Sequence, residues 1–341
     1  MEIFRTKTLL DEYRSGLFDG YFGGMRFAAY DIETTGLTKE RDRVILAGFC
    51  EVSGGEAVVT QYMAESMDDE AAVLEAALDH LSGLDMVLTY NGRTFDMPFT
   101  YGRAEKLGIT AGRRPYDFDL YPVAKRYTGI GDFTPNMRQT TLENFMGLWD
   151  LRKDTIDGAR SIELFLDWLT DGDDAKLEKI LLHNHDDVLQ LYRLLKVLAM
   201  ADIHGAVRRL GVPFLTGDGE LYTVRKSELK NGSLTVEGER LDTPSGGVPY
   251  IGYGMDGVEE KVDGDGSFRI RIPLVENCPL TLADIDACGV PSDDLEKLAT
   301  YGSGYLVLAD QAGEKDMEIN LLSRLLARSA TSKAKGEPEN G

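Results

Sequence analysis

Four apolar runs and one amphipathic segment between residues 25 and 92 leave few folds open to this chain. The runs MRFAAYDIE, RVILAGFCEV, EAVVTQYMA and DMVLTYNG have the length of strands. Between the third and fourth runs, residues 66–83 have a serine that can cap a helix, acidic residues in the first turn and an apolar stripe. Mostly helical sequence follows to about residue 203. This order predicts an α/β domain with a mixed sheet flanked by helices.

A change of pattern after His204 predicts a second region. Asn231-Gly232 and Asp265-Gly266 each lie between alternating apolar and polar residues, which is typical of a β-hairpin. A late helix is predicted in EINLLSRLLARS, and the end of the sequence is polar. We therefore expect an α/β domain over residues 1–204, a smaller β-rich region with a late helix over 205–328, and a disordered tail over 329–341.

The composition is that of a soluble globular protein, with a net charge of −21. Both halves of the chain are acidic, which argues against a protein that coats polyanions, although bound cations can still bring a phosphate chain to a local site. No apolar run is long enough to cross a bilayer, and the N-terminus lacks the pattern of a signal peptide. Three cysteines at unrelated spacings predict neither a disulfide framework nor a zinc site. We expect a cytoplasmic protein.

Acidic residues follow two of the predicted strands. Asp31 and Glu33 are two apart on the first strand, so both side chains leave the same face of the sheet. They repel each other unless a cation neutralises them, or unless the strand end simply emerges into solvent. Asp96 follows Asn91-Gly92 at the end of a later strand, where it either binds a cation or caps a helix. Oxygen ligands from several elements suit Mg²⁺ or Mn²⁺ rather than zinc.

A third acidic segment makes the pattern specific. D-I-E-T-T-G, N-G-x-x-F-D and a late helical H-x-x-x-D resemble, in this order, the three exonuclease motifs of the DEDD superfamily, which has the ribonuclease H-like fold. The segments DLYPVAKRY and TTLENFMGL resemble the helices that lie between the second and third motifs. The resemblance covers roughly residues 20–200. It is greatest to the bacterial YprB-type group of predicted exonucleases.

The resemblance implies a metal-dependent 3′–5′ exonuclease that hydrolyses single-stranded RNA or DNA and releases nucleoside monophosphates. It also implies two divalent cations, Mg²⁺ or Mn²⁺, one activating water and the other stabilising the departing 3′ oxygen. The implied metal ligands are Asp31, Glu33, Asp96 and Asp187, and these four residues form the implied catalytic set together with His183. The expected substrate contacts are Thr34, Thr35, Leu37, Asn91 and Phe95. For Phe95, packing in the core is the alternative.

Helical spacing orders the candidates in HNHDD. His183 and Asp187 are four residues apart and share a helix face, whereas Asp186 points about 100° away. The family has a tyrosine four residues before this aspartate or a histidine five before it. The residue five before Asp187 is Leu182, so His183 holds the tyrosine-type position. We expect its imidazole to orient or deprotonate the metal-bound water, with local packing as the alternative.

The neighbouring residues have open roles. His185 is expected to be solvated or at the substrate edge, and Asp186 is an alternative metal ligand. Asn184 either contacts substrate or caps a local turn. The competing function is a catalytically inactive ribonuclease H-like module that binds nucleic acid or a protein. We do not expect a family B DNA polymerase, since too few residues follow the third motif for a polymerase domain.

Overall fold

The computed structural model describes residues 1–241, 249–254 and 257–336. By its internal contacts the chain divides into two compact units, Met1–Ala201 and Asp202–Gly341. Within the described ranges, none of the helices combines the length and the hydropathy that crossing a bilayer requires.

The first unit is built on a mixed sheet, as the sequence predicts, and this sheet has six strands. The strands are β1 (Glu2–Leu9), β2 (Phe27–Thr34), β3 (Val44–Ser53), β4 (Glu56–Met63), β5 (Met86–Thr89) and β6 (Tyr116–Asp119). Their order is β1-β4-β3-β2-β5-β6, with β5 and β6 parallel to β2 and the other pairs antiparallel. Two strands were not predicted. β1 is a largely exposed edge strand without an apolar run, and β6 has two aspartates among four residues.

Strand β2 lies in the middle of this sheet and is covered on both faces. Ala28, Ala29, Tyr30 and Ile32 are all buried, which explains why the strand reads as a continuous apolar run rather than an alternating one. Helices cover the sheet. They are α1 (Gly16–Phe22), α2 (Glu70–Ser82), α3 (Asp96–Lys106), α4 (Leu120–Tyr127), α5 (Gln139–Phe145), α6 (Gly158–Asp171) and α7 (Asp174–Arg193). The predicted helix over residues 66–83 therefore begins as a 3-10 turn and becomes α-helical at Glu70.

A buried ion pair fixes α3 against α2 and β3. The Arg103 guanidinium donates to both carboxylate oxygens of Glu70, at 2.7 and 2.5 Å. Glu70 also accepts a hydrogen bond from the Val44 backbone N–H at 3.0 Å. Both charged side chains are almost fully buried. Because Asp96 is the first residue of α3, this pair helps to hold that carboxylate at the end of β2.

The second unit contains two antiparallel sheets. The first, in the order β10-β11-β12-β9-β8-β7, consists of β7 (Val212–Leu215), β8 (Leu221–Lys230), β9 (Ser233–Arg240), β10 (Tyr250–Tyr253), β11 (Glu259–Val262) and β12 (Phe268–Pro273). The second consists of β13 (Val275–Asn277), β14 (Leu280–Asp284), β15 (Tyr301–Gly302), β16 (Tyr305–Asp310) and β17 (Gly313–Glu314). The helices are α8 (Ile203–Leu210), α9 (Ile285–Cys288) and α10 (Asp316–Ala334).

Both predicted hairpins are present in the second unit. Asn231 and Gly232, which have positive φ angles of 51° and 67°, turn the chain between β8 and β9. Gly266, with φ of 85°, lies in the turn between β11 and β12.

The expectation of disorder is wrong for residues 329–334. They form the last turns of α10, because Ala330 and Thr331 are buried and continue the apolar face of that helix. The end of the predicted tail, residues 337–341, lies outside the described residues.

Replacing Arg103 tests the buried pair. Arg103→Met leaves the Glu70 carboxylate buried without its partner, and we expect a loss of about 3–5 kcal/mol in the free energy of unfolding. Both tryptophans of the chain, Trp149 and Trp168, lie in the first unit, so denaturant titration followed by their fluorescence reports on that unit. The double variant Glu70→Gln/Arg103→Met removes both charges and keeps an acceptor for Val44. It should recover part of the loss, and an unchanged Arg103→Met protein would contradict the assignment.

Candidate active site

The four predicted acids converge at the end of strand β2. Asp31 and Glu33 lie on that strand, Asp96 begins α3, and Asp187 lies on α7, which packs against β2. Burial raises the pKa of Asp31 well above its usual range, and the nearby charges of Asp96, Asp187 and Glu33 raise it further. The site thus concentrates like charges where Glu33 and Asp96 are buried and Asp31 and Asp187 are half-buried.

The pKa values of Glu33 and Asp96 are also raised. Burial raises the pKa of Glu33 to about 7, with the His183 charge opposing and the Asp187 charge adding to the shift. Burial likewise raises the pKa of Asp96 to about 7, opposed by hydrogen bonds from backbone N–H groups. One of these comes from Ile32 at 3.3 Å. Without a bound cation, the two carboxyl groups therefore hold their protons up to near-neutral pH.

His183 faces two of these acids with one ring nitrogen and a third acid with the other. Its Nδ1 lies 2.6 Å from Asp154 Oδ2, and its Nε2 lies 3.5 Å from Asp187 Oδ2 and 3.8 Å from Glu33 Oε1. Burial lowers the pKa of His183, but Asp154 and the other two carboxylates outweigh it and raise that pKa to about 9. Donor atoms of Glu33, His183 and Asp187 all lie within 4.8 Å of one another, and this donor set fits a divalent cation.

Asp186 and His185 lie outside this cluster. Asp186 is buried, and its Oδ2 accepts hydrogen bonds from the backbone N–H groups of Lys153 and Asp154, at 2.6 and 2.8 Å. His185 Nδ1 lies 3.1 Å from Asp186 Oδ1. Asp186 thus ties the loop that carries Asp154 to helix α7.

Asn184 connects the helix to the first acid. Its Nδ2 donates to Asp31 Oδ2 at 3.0 Å, and its Oδ1 accepts from Gln61 Nε2 at 3.0 Å. Gly48 pairs with Asp31 across the sheet, and a Cβ at Gly48 would lie 2.0 Å from Asn184 Oδ1. The sequence pattern leaves the role of Asn184 open and does not single out Gly48. A glycine inside a buried strand is the signal of such a close approach.

Arg152 is a second residue of the site that the sequence pattern does not single out. Its side chain is 2% exposed, and its Nη2 lies 2.5 Å from Asp187 Oδ1 and 2.8 Å from Glu143 Oε1. Its Nη1 lies 3.2 Å from Asp154 Oδ2. This one cation is therefore shared by three acids. Nothing in the pattern around Arg152 distinguishes it from a solvated arginine, because it lies in a loop without periodicity.

The last strand of the sheet supplies two further acids. Asp119 accepts hydrogen bonds from the backbone N–H groups of Asn91 at 2.7 Å and Tyr121 at 3.0 Å, so it fixes the turn that precedes Asp96. Asp117 accepts from Thr89 Oγ1 at 2.7 Å, and burial raises the pKa of Asp117 to about 7. Neither residue was singled out from the sequence.

The predicted substrate contacts on the first motif have different surroundings. Thr34 is buried and its hydroxyl donates to the Gly36 carbonyl at 2.6 Å. The Thr35 hydroxyl accepts from the Arg43 backbone N–H at 2.9 Å. Leu37 is 81% exposed. The two threonine hydroxyls thus shape the loop, and Leu37 is open to a ligand.

The second motif contributes two predicted substrate contacts. Asn91 has a positive φ of 68°, and its Oδ1 accepts from the Thr94 hydroxyl at 2.8 Å. Phe95 is half-buried against the core, with its ring centroid 5.4 Å from that of Phe99. The Asn91 side chain is thus engaged within its own turn, and core packing accounts for much of the Phe95 ring.

A mixed sheet whose central strand ends in buried acids, faced by a further acid on a covering helix, defines a ribonuclease H-like domain. The sequence model of the RNase H superfamily matches residues 28–199 of the chain. The chain belongs to the RNase H superfamily.

Individual relatives are distant. A DNA polymerase of Methanocaldococcus jannaschii is 25% identical over 32% of this chain and 8% of the polymerase, so the chain spans less than a tenth of that protein. Among solved structures, the family B DNA polymerase of Pyrobaculum calidifontis is 19% identical, with 55% of this chain and 28% of that chain covered and a TM-score of 0.41. Brucella melitensis NrnC is 20% identical, with 57% and 81% covered and a TM-score of 0.36. E. coli Exonuclease I with a bound oligonucleotide is 14% identical, with 62% and 54% covered and a TM-score of 0.34.

The contact between Gly48 and Asn184 can be tested by stability. Gly48→Ala places a methyl group where the Asn184 amide lies, and we expect the first unit to lose about 1–3 kcal/mol of unfolding free energy. Gly20→Ala is the matched control, because the added Cβ of this exposed helical glycine meets no atom within 4 Å. Tryptophan fluorescence in a denaturant titration measures both. Equal stability of the two variants would refute the close approach.

The raised pKa values predict how the metal-free protein responds to pH. Glu33 binds its proton more tightly when folded, so its contribution to stability falls as pH rises from its ordinary pKa of 4.5 to about 7. The charged His183 contributes stability that is complete below about 6.5 and is lost as pH rises to about 9. A single titrating group contributes a slope of at most about 1.4 kcal/mol per pH unit within its window.

The comparison with Glu33→Gln isolates the first of these slopes. In EDTA, the unfolding free energy of the wild type relative to Glu33→Gln should decrease between pH 4.5 and 7. The exposed Glu163 provides an isosteric control in Glu163→Gln, whose difference from the wild type should not change over this range. A difference between wild type and Glu33→Gln that is constant with pH would show that Glu33 is not held protonated.

Proposed function

We propose that this protein is a metal-dependent 3′–5′ exonuclease that hydrolyses phosphodiester bonds at single-stranded nucleic-acid ends. The observation that carries the proposal is the convergence of Asp31, Glu33, Asp96 and Asp187 at the end of β2. Membership of the RNase H superfamily supports a nuclease. The 3′–5′ direction rests on the order of the three motifs and on their resemblance to the DEDD exonucleases, in particular to the YprB-type group.

The four carboxylates are the proposed ligands of two divalent cations, Mg²⁺ or Mn²⁺. When bound, such cations supply the positive charge that the attacking water and the departing 3′ oxygen require. The donor set fits them, since buried carboxylates with raised pKa values gain most from a cation that replaces their protons. Neutralising these acids would also let an acidic protein accept a phosphate chain.

The chain's own residues hold these acids in place. Asn184 orients the Asp31 carboxylate, and the Ile32 backbone N–H holds Asp96. His183, the fifth residue of the proposed catalytic set, acts where Glu33 and Asp187 meet. The exposed Leu37 is the best placed of the proposed substrate contacts to pack against a terminal base.

The compartment is proposed from the cysteines. Cys50, Cys278 and Cys288 are all free thiols, as a reducing environment favours. We therefore place the protein in the cytoplasm.

A second candidate function is a catalytically inactive module that binds nucleic acid or a protein. The observation that favours it is the ion pair between Arg152 and Asp187 at 2.5 Å, because a protein cation already neutralises one proposed ligand. Calorimetric titration with Mn²⁺ separates the two. The exonuclease requires that the wild type binds Mn²⁺ and that Asp31→Ala binds it more weakly. An inactive module is expected to show neither Mn²⁺ binding nor an effect of Asp31→Ala.

The direct test of activity is a time course on matched 5′-labelled RNA and DNA oligonucleotides with Mg²⁺ or Mn²⁺. A ladder of products that shortens from the 3′ end is expected with the wild type. Asp96→Asn should abolish the ladder, because it removes a proposed ligand, whereas Asp150→Asn, at an exposed position, should leave it unchanged. Internal cuts, or intact oligonucleotides in every condition, would refute the proposal.

His183 has its own expected effect on the rate. His183→Ala should slow hydrolysis by about 10²–10⁴-fold if the imidazole acts on the attacking water. His185→Ala, which changes a histidine two residues further along α7 and outside the cluster, is the comparison. A His183→Ala enzyme as fast as wild type would remove His183 from the catalytic set.

A further inference from the structure

We propose that His183 is itself a metal ligand, binding through Nε2 the cation that Glu33 and Asp187 hold, and that this makes the position selective for Mn²⁺ over Mg²⁺. The inference rests on the proposed function. It changes the role of His183 from a group that acts on water to one that contacts the cation.

The distances around Nε2 carry the first part of this inference. Nε2 lies 3.5 Å from Asp187 Oδ2 and 3.8 Å from Glu33 Oε1, which is longer than an ordinary N–H···O hydrogen bond. Both distances are less than twice a metal–ligand bond of about 2.0–2.2 Å, so one cation can contact the ring together with either carboxylate, and the donor atoms of all three residues lie within 4.8 Å of one another. The ring is therefore directed at the two carboxylates but is not hydrogen-bonded to either.

The other side of the ring carries the second part. Asp154 Oδ2 lies 2.6 Å from Nδ1 and so holds a proton on that nitrogen, which makes Nε2 the donor atom once a cation displaces its proton. Histidines that bind metals almost always donate their second ring N–H to such an acceptor. Asp154 is itself fixed, by the Ile156 backbone N–H at 2.9 Å and by Arg152 at 3.2 Å.

Burial distinguishes a ligand from a base that exchanges protons with solvent. The His183 side chain is 10% exposed, and both of its nitrogens face carboxylates. A general base at this place needs a route by which its proton leaves, whereas a ligand needs none. The surroundings of His183 suit a fixed donor atom.

The donor set determines which cation is preferred. Both Mg²⁺ and Mn²⁺ bind carboxylate oxygen well, but Mn²⁺, as a first-row transition metal, accepts an imidazole nitrogen more readily than Mg²⁺ does. Two carboxylates and one imidazole therefore favour Mn²⁺ over Mg²⁺ at this position. The second proposed position, at Asp31 and Asp96, has only oxygen donors and should show less preference.

Pulsed electron paramagnetic resonance of Mn²⁺ bound to the full-length protein tests the ligand directly, without substrate or turnover. A directly bound imidazole gives modulation from its ¹⁴N nucleus, which is replaced by a ¹⁵N pattern in uniformly labelled protein. We expect this signal in the wild type and in His185→Gln, and its loss in His183→Gln. Bound Mn²⁺ without nitrogen modulation, or modulation that persists in His183→Gln, would overturn the proposal.

The variant Asp154→Asn provides a second test, which does not depend on the folding of His183→Gln. Asp154→Asn should keep the nitrogen signal but weaken Mn²⁺ binding by about 10–100-fold, because it alters the group that orients the ring. If His183→Gln does not fold, shown by its tryptophan fluorescence, the comparison of Asp154→Asn with wild type decides: unchanged Mn²⁺ affinity would contradict the proposal.

The failure of this inference is distinguishable from that of the proposed function. If the protein shortens oligonucleotides from the 3′ end but its bound Mn²⁺ shows no nitrogen modulation, the exonuclease is supported and His183 is not a ligand. Nitrogen modulation lost in His183→Gln, in a protein inert towards every oligonucleotide, would keep the ligand and remove the nuclease. A wild type that binds no Mn²⁺ would remove both.

Discussion

Repulsion between buried carboxylates is the constraint around which the first unit is organised. Glu33 and Asp96 are buried, and Asp31 and Asp187 are partly buried. Burial raises the pKa of all four acids, and repulsion among them adds to the shifts of Asp31 and Glu33. In the absence of a cation they keep protons or share protein cations. The free energy that this arrangement costs is what a bound divalent cation would recover, so the fold favours occupation of the site.

The rest of the unit limits how those acids can relax. The buried pair of Glu70 and Arg103 fixes the helix that begins at Asp96, and Asp119 fixes the turn before it. Asp186 ties the loop carrying Asp154 to the same helix as Asp187. Each support joins elements distant in the chain, which is why the acids cannot move apart to lower their repulsion.

The sequence predicted much of the first unit because its signals are local. Apolar runs marked the central strands, and the spacing of His183 and Asp187 placed both on one helix face. The positions of Arg152 and Gly48 could not be predicted in this way. Their importance comes from contacts across long separations in the chain, to Asp187 and to Asn184, and such contacts leave no periodic trace. Strand β6 could not be predicted for a different reason: two of its four residues are aspartates, so it has no apolar run.

The Gly48–Asn184 contact has a consequence for how sequences of this kind can diverge. An amide that fills the space above a glycine makes the two positions a volume-sharing pair, although they lie on a strand and a helix far apart in the chain. A side chain can enter at one position only if the other becomes smaller, and Asp31 then loses its amide donor. Joint change at these two positions would therefore identify homologues in which no amide at this position holds the first carboxylate, Asp31.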